Sequence, residues 1–277
     1  MRSGGAVMGA YGNLVLMERK DGYAIVTLNR PEKRNAMSRA AQQELWAALE
    51  DARADCKVII ITGAGPAFCS GIDLSEQRQL REAGVRERQY AWGSNTWFET
   101  QEIIRRHPAI FIAAVNGYAL GGGLTLVHNC ELAIASERAE FGMPEVGFGT
   151  FPGLAGPATI HRILPKHYNY LILTARRIDA YTAERWGIVN EVVPHDQLIP
   201  RAEELARHIC QFDPVVLDYS KRAIREIPYL DWSRGIEYGI WTGIVIRSQT
   251  AAAAEGIQRF LTGQPNPGQG TGGSDRR

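Results

Sequence analysis

Two runs of consecutive apolar residues constrain the fold of this chain more than any other feature. Val58–Thr62 (VIIIT) and the run from Ile110 to Val115 are apolar without alternation, which is typical of strands buried on both faces. Segments with a helical pattern lie between such strands, as from the N-capping residue Ser38 to about Ala52. Strands alternate with helices in the first half and helices dominate the second, which predicts an α/β fold with a helical C-terminal extension.

Composition and charge exclude several classes of protein. The 277 residues are 45% hydrophobic and 22% charged, with 31 Lys plus Arg, 30 Asp plus Glu and a net charge of +1. That balance argues against general binding to nucleic acid or to an anionic membrane. No apolar run is long enough to span a bilayer, and the N-terminus lacks the apolar region of a secretory signal. The four widely spaced cysteines indicate free thiols and no metal site, so we expect a cytoplasmic protein.

Composition also divides the chain into four segments. Residues 1–12 are predicted to be a flexible tail, 13–205 the core, 206–262 a helical region and 263–277 a disordered Pro/Gly-rich tail. From residue 158 onward the pattern predicts mainly helices, at 158–164, 168–175, 182–187, 196–211, 214–226 and 232–262; loops are predicted at 63–71 and 116–123. The last helix carries an apolar stripe from Trp232 to Val245, which needs a partner surface.

A glycine triplet is the most informative candidate for chemistry. Gly121, Gly122 and Gly123 follow the predicted strand at 110–115 and open a helix. Glycines there let a ligand approach the backbone, and N–H groups at a helix N-terminus are free to bind an anion or a carbonyl oxygen that becomes one. Taken alone, the triplet is more typical of a flexible turn.

Two further stretches follow the same logic. Residues 67–74 (AFCSGIDL) again lie between a buried strand and a helix. Residues 141–149 (FGMPEVGFG) place the carboxylate of Glu145 among apolar side chains, where a raised pKa suits it to proton transfer. The alternative for Glu145 is an exposed position in the first turn of a helix.

The motifs NRPEKRNAM, AFCSGIDL, NGYALGGG and FGMPEVGFG, in this order and at these spacings, resemble the crotonase superfamily of enoyl-CoA hydratases and isomerases. The similarity runs from about Asn13 to Phe260. It implies a ββα-superhelix core with a helical C-terminal trimerisation region, assembled as a homo-trimer or as a hexamer built from two trimers. It also implies acyl-CoA substrates, with coenzyme A as part of the substrate and no bound cofactor.

The resemblance assigns site residues by position. The N–H groups of Gly122 and Ile72 are expected to form an oxyanion hole for the thioester oxygen, and Glu145 to act as general acid/base. Ser70, Ile72 and Leu74 match positions that contact adenine, and Arg34 one that meets the CoA phosphates. The other implied substrate-binding positions are Asp73, Gly121, Trp97, Tyr118 and Phe260.

The chain departs from the family pattern at Thr125. Family hydratases carry a second glutamate there, and the two carboxylates hold and activate water, whereas Thr cannot act as a base near neutral pH. We therefore count Thr125 among the catalytic positions to be tested, and leave open whether His128 takes part. The tail after Phe260 (LTGQPNPG) also lacks a Lys-containing segment that reaches CoA phosphate in relatives. The contacts to CoA phosphate are therefore expected to be fewer or to come from Arg259.

One carboxylate leaves the reaction type open. Hydration of a 2-enoyl-CoA, double-bond isomerisation, hydroxycinnamoyl-CoA hydratase-lyase cleavage and ring-opening C–C hydrolysis of an acyl-CoA all fit the resemblance. A non-catalytic acyl-CoA-binding protein is the alternative of another class, although a pure binder does not need a carboxylate in its pocket.

Overall fold

The computed structural model describes residues 12–84 and 96–268, and within these it contains two β-sheets and eleven α-helices. The larger sheet has six strands in the order β1 (Val15–Arg19), β2 (Tyr23–Leu28), β3 (Val58–Gly63), β5 (Ile110–Val115), β7 (Leu132–Ser136) and β10 (Glu191–Val193). The smaller has the order β4 (Ala67–Cys69), β6 (Tyr118–Leu120), β8 (Glu140–Gly142) and β9 (Ile178–Asp179).

The larger sheet is covered on both faces, as the unbroken apolar runs predict. In β3, Ile59 and Ile61 face one core, while Val58 and Ile60 face the other. Helix α1 (Arg39–Ala52) packs on the first face and α8 (Leu198–Ile209) on the second. Burial of each such side chain stabilises the fold by about 1.5–3 kcal/mol.

The smaller sheet positions the three glycine- and carboxylate-bearing motifs. Strands β4, β6 and β8 are parallel neighbours, so their carboxyl ends lie at one edge. Helix α2 (Leu74–Glu82) follows β4, α4 (Gly122–Asn129) follows β6, and a 3-10 helix (Glu145–Phe148) follows β8. Ligand sites in α/β proteins favour this edge of a sheet.

The remaining helices complete the core and the C-terminal region. Helix α3 (Thr96–Arg106) packs against α1 and α4. Further along the chain come α5 (Ala155–Thr159), α6 (Pro165–Thr174), α7 (Ala180–Arg185), α9 (Pro214–Glu226), α10 (Trp232–Gln249) and α11 (Ala252–Leu261). No helix within the two described ranges is long and apolar enough to cross a membrane.

The structure confirms the α/β class and corrects several local predictions. The predicted loops at 63–71 and 116–123 contain β4 and β6, and the region predicted to be mainly helical contains β9 and β10 between its helices. These strands have two or three residues, too few to show a period. The predicted helix at 232–262 is interrupted at Thr250, whose backbone is extended (φ −146°, ψ 150°) and ends α10.

Both predicted tails lie mostly outside the described residues. Residues 1–11 and 269–277 are not described. Within the described part of the C-terminal tail, Gln264 N donates to Arg259 O over 2.8 Å, and Asn266 Nδ2 donates to Gly256 O over 3.1 Å. Residues 263–268 therefore turn back onto α11.

Candidate active site

A cavity of about 510 Å³ lies beyond the carboxyl ends of β4, β6 and β8. Residues from all three motifs line it, together with side chains of α1, α2, α3 and the segment from Phe148 to Ala155. The lining residues that bear on function are Gln42, Ser70, Gly71, Ile72, Leu74, Glu76, Leu80, Trp97, Gly121, Gly122, Glu145, Phe148, Phe151 and Leu154. Three separate stretches of the sequence thus meet at one site. The site is concave, as ligand pockets usually are.

Two backbone N–H groups at this site have no acceptor. Within residues 12–84 and 96–268, neither the N–H of Ile72 nor that of Gly122 donates a hydrogen bond to the protein. Gly122 is the first residue of α4, where backbone N–H groups lack intrahelical partners. The two segments are adjacent, because a Cβ atom on Gly71 would lie 3.0 Å from Gly122 N. Gly71 also has a φ of +96°, which other residues rarely adopt.

The Glu145 carboxyl group lies against the glycine triplet. Gly121 has a φ of +50°, and a Cβ atom there would come within 2.6 Å of Glu145 Oε1. Glu145 Oε2 is buried and has no hydrogen-bond partner among the described residues. Burial raises the pKa of the Glu145 carboxyl above its ordinary value, because removal from water disfavours the charged form. The group is thus suited to taking and returning a proton.

Thr125 and His128 lie behind this site, within α4. Thr125 is fully buried, and its hydroxyl donates to Gly121 O over 3.3 Å, so it bonds to its own helix and does not line the cavity. Burial lowers the pKa of His128 to about 3, which keeps its imidazole neutral. His128 is also absent from the cavity lining, and its Nε2 has no partner in the described part of the chain.

The other predicted binding residues divide into two groups. Ser70, Ile72, Leu74, Gly121 and Trp97 line the cavity. Asp73 does not: its carboxylate caps α2 by accepting from Ser75 N and Glu76 N, and it pairs with Arg30 over 3.1 Å. These contacts lower the pKa of Asp73, and its placement is that of a structural residue.

Arg34, Tyr118 and Phe260 also lie outside the cavity lining. The Arg34 guanidinium lies 6.0 Å from the centre of the Tyr118 ring, and that of Arg177 lies 5.1 Å from it. Phe260 is on α11 with 71% of its surface exposed, and residues within 12–84 and 96–268 leave it uncovered.

Sequence reasoning missed several residues of the site. Gln42 reads as one polar residue of α1, and only the fold shows that it faces the cavity. Phe148, Phe151 and Leu154 follow Glu145 closely in the sequence and line the cavity. Apolar residues so near a candidate acid were the sequence signal that could have identified them as part of the site. Within the described ranges, no group of three or more His, Cys, Asp or Glu side chains is arranged to hold a metal ion.

Comparisons with known proteins agree with the four motifs. The family model for enoyl-CoA hydratase/isomerase matches residues 18–261. The short-chain-enoyl-CoA hydratase of Clostridium acetobutylicum is 35% identical over 241 residues, which cover 86% of this chain and 87% of that protein. The hydroxycinnamoyl-CoA hydratase-lyase of Pseudomonas fluorescens is 35% identical over 229 residues, covering 81% of this chain and 82% of that protein.

Solved structures agree with the fold. The crystal structure of an enoyl-CoA hydratase subunit I from Geobacillus kaustophilus superimposes with a TM-score of 0.82 at 30% identity, covering 93% of this chain and 98% of that one. The crotonase-type α/β core followed by C-terminal helices is therefore confirmed. The chain belongs to the enoyl-CoA hydratase/isomerase family and is an acyl-CoA-processing enzyme of that family.

Proposed function

We propose that the thioester carbonyl of an acyl-CoA binds between the N–H groups of Ile72 and Gly122, with Glu145 as general acid/base. The observation that carries this proposal is the meeting of two N–H donors without acceptors and one carboxyl oxygen without a donor at one cavity. Donors placed in advance at a developing oxyanion stabilise the transition state, and loss of one typically costs about 3 kcal/mol.

The residues present account for hydration of a 2-enoyl thioester. The ionised Glu145 takes a proton from water while the water oxygen bonds to C3 of the substrate. The electron pair of the C2=C3 bond moves toward the thioester, whose oxygen becomes an enolate held by the two N–H groups. Glu145 then returns its proton to C2, which restores the carboxylate and gives the 3-hydroxyacyl thioester.

The CoA portion of the substrate is proposed to contact residues in and around the cavity. Ser70 and Leu74 line the cavity, and the adenine is proposed to bind beside them. Arg34 is exposed and carries a charge suited to phosphate. The Tyr118 ring lies beside the Arg34 guanidinium. Phe260 and Arg259 of α11 are proposed to approach the same CoA portion of the substrate.

A hydratase-lyase reaction on an aromatic acyl-CoA is the second candidate. Phe148, Phe151 and Trp97 all line the cavity, and aromatic walls suit an aromatic acyl group. The relative from Pseudomonas fluorescens is named for that reaction.

A panel of CoA thioesters followed by mass spectrometry tests the proposal. Incubation with 2-enoyl, 3-enoyl and aromatic enoyl thioesters distinguishes the reactions by product mass. Gain of one water indicates hydration, an unchanged mass with a shifted double bond indicates isomerisation, and a shorter thioester indicates cleavage. Absence of any product from the whole panel would contradict the proposed reaction class.

A further inference from the structure

The inner wall of the cavity contains a buried amide that no chemistry described above uses. Gln42 lies on α1 with 2% of its surface exposed and lines the cavity. Its Oε1 accepts from the Thr100 hydroxyl over 3.3 Å. Thr100 Oγ1 in turn accepts from Trp46 Nε1 over 2.7 Å. Because Thr100 is fully buried on α3, this chain of hydrogen bonds places the amide oxygen toward α3.

The other end of that amide has no partner. Gln42 Nε2 donates to no residue within 12–84 and 96–268, although buried polar groups nearly always have a partner. The amide nitrogen is not enclosed by protein, unlike the buried unpaired atoms elsewhere in the chain. It therefore faces the cavity with two N–H groups free to donate.

Trp97 lies on the same wall but adds no donor to the cavity. Trp97 precedes Thr100 by three residues on α3, so the two side chains project from one face of the helix. The Trp97 indole is 2% exposed, and its Nε1 is enclosed by protein without a partner in the described residues. A Cβ atom on Gly122 would lie 3.2 Å from Nε1, so the indole nitrogen faces the backbone of Gly122.

The rest of the lining indicates what the Gln42 amide binds. Leu80, Phe151 and Leu154 make the surrounding wall apolar, and such a wall suits hydrocarbon. A purely hydrocarbon acyl chain would leave the N–H groups of Gln42 desolvated and unpaired, which is unfavourable. A carboxylate is disfavoured as well, because the charged lining residues are two carboxylates (Glu76 and Glu145) and one guanidinium (Arg39).

We propose that the acyl group of the substrate carries an uncharged oxygen, a hydroxyl or a carbonyl, that accepts a hydrogen bond from Gln42 Nε2. This inference rests on the proposed binding of an acyl-CoA and names its substrate class. Gln42 is then a specificity-determining residue, since a site built to donate to an oxygen discriminates against the analogue without it.

Calorimetric titration with saturated thioesters tests this without turnover. The ligands are hexanoyl-CoA and its 3-oxo, 4-oxo and 5-oxo derivatives, which differ by one oxygen. We expect at least one oxo derivative to bind the wild-type enzyme about ten-fold tighter than hexanoyl-CoA. Gln42→Leu should remove most of that preference.

Gln43→Leu is the matched control, because Gln43 is the exposed neighbour on α1 and lies outside the cavity lining. It should keep the wild-type preference. Wild-type binding of hexanoyl-CoA as tight as that of every oxo derivative would overturn the inference, even if neither variant folds. If no thioester binds the wild-type enzyme at all, the proposed acyl-CoA site itself fails and the inference falls with it.

Discussion

Thr125 and Glu145 show how single residues set the chemistry of this site. The Thr125 hydroxyl donates within its own helix and stays behind the cavity wall. Glu145 is the carboxylate that contacts the glycine triplet. Because one of the two carboxylate positions in family hydratases is occupied by Thr, water has one base here rather than two.

Hydration of crotonyl-CoA by the wild-type enzyme should therefore be slow, by about 10²–10⁴-fold relative to a two-glutamate hydratase. Thr125→Glu should raise the rate, since it adds the missing carboxylate beside Glu145. The measurement is loss of the enoyl absorbance, with Thr125→Val as a control of similar size that adds no carboxylate. Fast hydration by the wild-type enzyme would contradict the prediction.

The pH dependence of turnover follows from the burial of Glu145. The carboxylate must be ionised to accept a proton from water, and burial raises its pKa. Activity should be lost as the pH falls through a value above the ordinary glutamate pKa of about 4.3. A profile of kcat/KM against pH that stays flat down to about pH 4 would show that Glu145 is not the titrating base.

The sequence predicts the reacting groups of this site better than its walls. Gly122 and Glu145 belong to motifs whose spacing carries their role. Gln42 does not, because a buried amide on a helix looks the same in sequence whether it faces protein or a cavity. Its partner Thr100 is 58 residues away along the chain, and only the packing of α1 against α3 brings the two together.

Buried ion pairs connect helix α9 to the residue that precedes β7. Glu131 precedes β7, and its carboxylate pairs with Lys221 Nζ over 3.4 Å and with Arg225. Lys221 is 1% exposed and also donates to Ala109 O over 2.7 Å. Burial lowers the pKa of Lys221 to about 8, although Glu131 acts in the opposite direction.

Glu131→Gln should therefore destabilise the protein by about 3–5 kcal/mol, because it leaves two buried cations without a counter-charge. Urea denaturation at neutral pH measures the change in unfolding free energy. The control is Glu82→Gln, which breaks the exposed pair with Arg78 and should change the unfolding free energy by less than about 1 kcal/mol. Equal effects of the two substitutions would contradict this account of α9.

Element prediction succeeded where the pattern was long and failed where it was short. The unbroken apolar run of β3 and the Ser38 cap of α1 appear in the structure where predicted. The strands of the smaller sheet were mostly missed, since β4, β6 and β9 have two or three residues and are held by pairing with distant partners. Yet this sheet brings the three motifs to one edge, so the element least visible in sequence positions the site.

At the scale of the whole molecule, α10 presents an uncovered apolar surface. Trp232 is 80% exposed and Trp241 is 59% exposed, and the same helix also exposes Ile236, Ile240 and Ile244. Contiguous exposed apolar residues of this kind usually mark an interface. We infer that a second copy of the chain covers them in a trimer or hexamer.

Light scattering at micromolar concentration should therefore give three or six times the mass of one chain. The double variant Ile236→Glu with Ile240→Glu should dissociate the assembly, because each places an unpaired charge in an apolar interface. Gln79→Glu adds one charge to the exposed surface of α2 and serves as the control. A monomer mass for the wild-type protein would contradict the proposed assembly.

The kinetics of Glu145→Gln test the proposed mechanism most directly. The substitution keeps the size of the side chain and removes its ability to take a proton, while the N–H groups of Ile72 and Gly122 stay in place. With the thioester that the wild-type enzyme converts fastest, we predict that kcat falls about a hundredfold or more. Calorimetry should show that a saturated acyl-CoA still binds the variant with an unchanged Kd. Turnover within a few-fold of wild type would contradict the assignment of Glu145 as the acid/base.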